Sequence, residues 1–136
     1  MFLVVFLRLS RMPRSMAKSD VFEWIDTNEE RLKTIAHRIW ETPEVGLQEE
    51  ESSATLIEPL ESEGFEVERN IGSMPTSFVA SYGETGPKIG ILGEYDALPG
   101  LSQKVTDERE SKEDGAPGHG CGHNLLGTAG VGAAIA

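Results

Sequence analysis

The chain has 136 residues, enough for one domain with one core and too few for two of ordinary size. Twenty-three acidic against twelve basic residues give a formal charge of −11, which repels phosphate backbones and anionic lipid and argues against nucleic acid or membrane surfaces as general partners. A hydrophobic fraction of 38% is low but patterned, so a folded domain is expected in place of a wholly disordered chain.

The N-terminal apolar run, Phe2 to Leu7, is far below the ~20 residues that span a bilayer. Arg8, Arg11 and Arg14 follow it, whereas a secretory signal places its basic residues first. Residues 1–18 are therefore predicted to be a leader outside the fold, disordered or an over-extended start with Met16 as the natural beginning, and residues 19–136 to form the domain. Cys121 is the single cysteine and allows no internal disulfide, which points to a reducing, cytoplasmic compartment.

Ser19 or Asp20 can cap a helix in which Val21, Trp24, Ile25, Leu32, Ile35, Ala36 and Ile39 recur at helical spacing, and Pro43 ends it. A second helix is predicted from about Glu49 to Glu63 with Ala54, Ile57 and Leu60 inward, Pro59 kinking it and Gly64 stopping it. Beyond Gly64 the period changes to two, giving strands in FEVER, in SFVASY from Ser77 and in KIGILGEYD from Lys88. The last, with Ile89, Ile91 and Leu92, reads as a strand inside a sheet, and helices on either side of it favour a layered α/β arrangement. Residues 97–118, with the charged run DERESKED, read as a solvated loop. Asn124 can cap a final helix, Leu125 to Ala136, which is small and apolar on nearly every face and so reads as buried on all sides.

Two stretches carry side chains suited to chemistry. GHGCGHN, residues 118–124, sets His119, Cys121 and His123 at alternate positions between glycines that allow the backbone to bend. Thiolate and imidazole suit zinc or another transition metal. A cysteine nucleophile activated by a neighbouring histidine, and a glycine-rich lead-in to a buried helix, fit the same spacing. GEYDALPG, residues 93–100, places Glu94 and Asp96 at the end of an apolar strand, where α/β proteins often put functional groups. These carboxylates can bind a metal, orient a ligating imidazole, or simply close a strand in an acidic turn.

Taken together, ILGEYDALPGLSQK, the loop after it and GHGCGHNLLGTAGVGAAIA closely resemble, in order, motifs of the metal-dependent amidohydrolases. HRIWETPEVGLQEE, from His37, resembles the same family's first helix-turn signature. This family includes aminoacylases, auxin-conjugate hydrolases and, nearest in these motifs, hydrolases of p-aminobenzoyl-glutamate. The resemblance runs from about Asp20 to Ala136 and leaves out the leader. It implies an α/β fold, an incomplete part of a three-layer zinc-peptidase-like domain with a mixed sheet flanked by helices.

The resemblance also implies a set of roles. Cys121 and His123 match the family's metal ligands, and His119 matches the leading histidine of the motif as a further candidate. Asp96 falls on the aspartate of the DALP motif, which orients a metal-bound imidazole or otherwise supports the catalytic site. Glu94 stands where more distant relatives carry a ligating histidine, and Asn124 replaces an aspartate common in the family. The cofactor implied is zinc or manganese, one or two ions in a full enzyme, which polarise an amide carbonyl and activate water. Substrates would be N-acyl or N-aroyl amino acids or small peptides, and the full-length enzyme a homo-oligomer. The family's catalytic glutamate and remaining ligands lie beyond the matched motifs, so an N-terminal fragment inactive alone is expected. The alternative is a non-catalytic metal-binding remnant, or a subunit whose partner polypeptide completes a split hydrolase.

Overall fold

A computed structural model describes residues 2–8 and 17–136, with Phe2 and Arg8 described by their backbone alone. In chain order the elements are β1 (Phe2–Arg8), α1 (Lys18–Thr27), α2 (Glu29–Glu41), α3 (Glu50–Ser62), β2 (Glu66–Arg69), a 3-10 turn at Ile71–Ser73, β3 (Phe78–Tyr82), β4 (Lys88–Glu94) and α4 (His123–Ile135). The architecture is α/β, with a mixed four-stranded sheet in the order β2-β3-β1-β4 among the described residues.

The position of β1 corrects the expectation of an N-terminal leader outside the fold. Its strand lies between β3 and β4, parallel to the first with Leu3 opposite Phe78, and antiparallel to the second with Leu3 opposite Gly93. Leu3 and Val5 are fully buried. A run of β-branched and aromatic residues too short for a bilayer has the length of an ordinary strand, and the core accepts it as one. The rest of the predicted leader before Ala17, residues 1 and 9–16, lies outside the described residues.

With β1 in that place, β4 is an edge strand of the described sheet and not the interior strand expected from its composition. An apolar run reports burial of side chains, and it carries no information on whether both edges are hydrogen-bonded. Ile89 and Leu92 are in fact exposed.

The helices follow local signals, with differences that have local causes. One predicted N-terminal helix is two, because Asn28 leaves helical geometry and its side-chain amide donates to the Trp24 carbonyl at 2.9 Å, an alternative to continuing the ladder. Asp20 does not cap from the first position; its carboxylate accepts the Ala17 N–H at 3.0 Å from inside the first turn. At the end of α3, Gly64 takes φ +86°, Phe65 N–H donates to the Leu60 carbonyl at 3.0 Å, and Gly64 N–H to Glu61 at 3.1 Å. This is a Schellman stop built on the one residue that adopts the left-handed region without cost.

Before α4, Gly122 at φ +84° occupies the cap position that Asn124 was expected to hold. Asn124 is inside the helix and buried, and its amide donates to the Ala36 carbonyl of α2 at 3.1 Å, tying the two helices together. Glycines on α4 permit a close approach to the sheet: a Cβ on Gly93 would lie 3.3 Å from the Gly127 Cα. The helix is not buried all round. Leu125 is 62% exposed and Leu126 45%, and Ala129 and Ala133 share that open side.

One apolar cluster joins these parts, with Leu3, Val5, Ile39, Leu56, Leu60, Phe78, Tyr95 and Val131 among its members. The described helices that cover the sheet meet the face carrying Leu3, Val5, Phe78 and Ala80. On the opposite face Val4, Phe6 and Val79 are half-buried, and Leu92 is 59% exposed. Among the described residues no helix is long and apolar enough to cross a membrane.

Candidate metal centre

Three loop segments, each flagged by a sequence motif, are stitched side by side. Ala97 N–H donates to the Glu44 carbonyl at 2.7 Å, and Val45 bridges Ala97 in parallel. Leu98 and Gly118 exchange two backbone hydrogen bonds, each 3.0 Å. Gly118 is required here, since a Cβ would fall 2.1 Å from the Leu101 carbonyl oxygen. The carboxylate of Glu44 accepts the N–H groups of Glu51 at 3.0 Å and Ser52 at 2.8 Å, and the Ser52 hydroxyl at 2.7 Å, so it caps α3 from outside. ETPEVGLQEE thus braces both the helix behind the site and the strand end that carries it.

At that strand end, alternation sends Tyr95 inward and Glu94 and Asp96 to the other side. Tyr95 is fully buried, and its hydroxyl donates to the Thr76 carbonyl, while the Thr76 hydroxyl donates to the buried carboxylate of Glu49. Burial, and then the negative charges of Glu49 and Asp96, hold the Tyr95 phenol well above the usual tyrosine range.

His123, the first residue of α4, faces both carboxylates. Its Nδ1 lies 3.1 Å from Asp96 Oδ1 and 3.1 Å from the Asp96 carbonyl, and its Nε2 lies 2.9 Å from Glu94 Oε2. All three side chains are partly buried, and their ligand atoms lie within 4.8 Å of one another. Both oxygens at Nδ1 are acceptors, which places the ring proton there. A bare Nε2 would then oppose a carboxylate, acceptor against acceptor, so that contact is favourable only with a proton or a cation between the two groups. The Glu94 carboxylate and the Nε2 of His123 are suitable donors for zinc or manganese, with Asp96 holding the ring from behind.

The other residues marked in the sequence sit differently. Cys121 is exposed, two residues ahead of His123 and flanked by Gly120 and Gly122. His119 is buried, and neither ring nitrogen makes a hydrogen bond among the described residues. Burial is the leading cause that lowers its pKa, and the Ile39 carbonyl beside it opposes that shift. Neither residue belongs to the three-residue cluster. Glu94, for which the sequence left a structural and a functional reading open, is the residue that the cluster adds. Its i, i+2 spacing from Asp96 was the signal available.

Comparison with known proteins gives a consistent set of relatives, although no family model matches the chain. It is 50% identical over 113 residues to one of the polypeptides of the p-aminobenzoyl-glutamate hydrolase of Escherichia coli, a match covering 82% of this chain and 24% of that protein. It is 32% identical over 131 residues to Xaa-Arg dipeptidase of Mus musculus, covering 88% and 26%. Against hippurate hydrolase of Campylobacter jejuni it is 33% identical over 93 residues, covering 68% and 24%. The chain therefore spans about a quarter of the length of these relatives.

Proposed function

On the premise that this chain is a member of the amidohydrolase and peptidase family, we propose that it carries part of a metal centre for hydrolysis of an amide bond in N-acyl or N-aroyl amino acids or small peptides. The supporting observation is the convergence of Glu94 and Asp96 on the two nitrogens of His123. His123 and Glu94 would hold a divalent ion, zinc or manganese. Cys121 joins them by its match to the family motif, since its thiol is exposed and next to the cluster in the chain. Bound there, such an ion supplies Lewis-acid polarisation of the amide carbonyl and a water of lowered pKa.

The chain's own groups do the remaining work. Asp96 keeps the proton on Nδ1 and fixes the plane of the imidazole, so that Nε2 stays available as a donor. Tyr95, locked inward through Thr76, holds the strand end from which both carboxylates project. The fold would form part of a three-layer domain whose second face, with Val4, Phe6, Val79 and Leu92, is covered in the complete enzyme. For the chain alone the proposal is ion binding without turnover, in a reducing, cytoplasmic compartment.

A second reading, that another polypeptide completes the enzyme, is supported by the open apolar faces of β4 and α4, where Leu92 and Leu125 are 59% and 62% exposed. The Escherichia coli relative, named as one subunit of its hydrolase, accords with it.

Equilibrium titration with zinc and with manganese tests the metal centre. Stoichiometric binding that is lost in His123→Ala, and that shields Cys121 from alkylation, is the expected result. A thiol that stays fully reactive at saturating ion would remove Cys121 from the ligand set. Binding that is unchanged in His123→Ala would sink the centre itself.

A further inference from the structure

The loop between Asp96 and His123 is internally organised. Lys104 N–H donates to the Glu110 carbonyl at 2.8 Å. The Gln103 amide donates to the Lys104 and Glu108 carbonyls at 3.1 and 2.8 Å and accepts the Glu110 N–H at 3.3 Å. Ser102 accepts the Glu113 N–H at 3.1 Å and donates its own N–H to Ala116 at 3.0 Å. Both lysines are engaged, Lys104 with Glu110 and Lys112 with Glu41.

Not every polar side chain of the loop is used in this way. Arg109, Ser111 and Asp114 make no ion pair or side-chain hydrogen bond among the described residues, and all three line one cleft of about 480 Å³. Gly100 and Gly120 complete its walls, four residues after Asp96 and three before His123. Such a volume suits a small molecule. Gln103 holds the backbone on either side of Arg109 through the Glu108 carbonyl and the Glu110 N–H, so a ligand has only the side chain left to order.

Charge selects the ligand. Asp107, Glu108, Glu113 and Asp114 surround Arg109 in sequence, and neither loop lysine is free to balance them. A simple anion reaching Arg109 meets that acidic field, whereas a neutral zwitterion satisfies the guanidinium and the Asp114 carboxylate together. We propose that this cleft binds a small zwitterion, a free amino acid or dipeptide, with its carboxylate on Arg109 and its ammonium on Asp114. The choice of amino acid or dipeptide rests on the amide-hydrolase reading, while the charge pattern does not.

Calorimetric titration of the whole chain with glycylglycine, with and without zinc, tests this. Wild type is expected to bind it, and Arg109→Gln and Asp114→Asn each to bind about tenfold more weakly or worse, the loss of one charge-assisted contact. Both substitutions are at exposed positions, and zinc affinity should be unchanged in them. N-acetylglycylglycine, which lacks the ammonium, should bind wild type about tenfold more weakly, and Asp114→Asn should not weaken it further. No binding to wild type, or equal binding to Arg109→Gln, overturns the proposal. So does dipeptide binding that disappears in His123→Ala yet survives in Arg109→Gln, which places the ligand on the metal centre. Dipeptide binding that follows Arg109 and Asp114 in a chain that takes up no zinc upholds the cleft and removes the metal reading.

Discussion

His123 Nε2 stands 2.9 Å from Glu94 Oε2, an imidazole nitrogen against a carboxylate, a contact made favourable by a proton between them or by a cation that both groups bind. Glu94→Gln keeps the shape and removes one charge, and zinc affinity should fall by roughly 10- to 100-fold. Asp96→Asn, which disturbs the group behind Nδ1, should weaken it by a similar factor of about 10 to 100. Competition with a chromophoric chelator measures both. Unchanged affinity in Glu94→Gln would exclude this carboxylate from the site.

Packing beneath the site predicts a stability effect with a functional signature. A Cβ on Gly127 would lie 3.0 Å from the Glu94 carbonyl oxygen, 3.1 Å from Leu56 Cδ1 and 3.2 Å from Tyr95 Cβ. Gly127→Ala therefore overpacks α4 against the strand end and should cost about 1–3 kcal/mol in urea denaturation. It should also lower zinc affinity, because the displaced segment carries both carboxylates. A variant as stable as wild type would mean that α4 does not approach β4 this closely.

Tyr95 sets an alkaline limit. Its folded pKa is raised, first by burial and then by the charges of Glu49 and Asp96. The neutral phenol's stabilising contribution is thus complete below the unfolded value of about 10 and declines above it, as the unfolded chain ionises while the folded one does not. Tyrosinate absorbance from Tyr95 should rise together with loss of circular dichroism, not ahead of it. Tyr95→Phe should abolish this component and cost about 1–3 kcal/mol, because the buried Thr76 carbonyl loses its donor.

The central place of β1 is open to a direct check. Leu3 is fully buried between β3 and β4 and touches α4 near Gly130, so Leu3→Ala should cost about 2–5 kcal/mol. Leu92→Ala, on the exposed face of the neighbouring strand, should change stability by less than about 0.5 kcal/mol. Equal, small effects at both positions would contradict the sheet order.

Much of the local structure was legible in the chain itself. The Gly64 stop, the strands after it and the helix over residues 50–62 follow from signals that act within a few residues: left-handed glycine, apolar period and proline position. Asp96 and His123 were marked by motif and by chemistry, and the structure brings their side chains to 3.1 Å. Cys121 and His119 were marked by the same motif; one is exposed and the other buried, and neither is among the three side chains that converge. Alternation predicts a shared face only for an extended backbone, and Gly122 at φ +84° turns the chain between Cys121 and His123.

By itself the sequence determined the helical or extended character of the segments from residue 18 onward and which residue types are available for metal chemistry, since backbone propensity and ligand character are properties of near neighbours. Tertiary structure decided three things that pattern does not encode. It put Phe2–Arg8 at the centre of the sheet, because strand order depends on which edges meet once the chain has collapsed. It left one side of an all-apolar helix exposed, because hydropathy reports a tendency to be buried and not the presence of a cover. It set Glu94 against His123, residues 29 positions apart, because only the close packing of α4 on β4 through Gly93 and Gly127 carries the imidazole to the strand end.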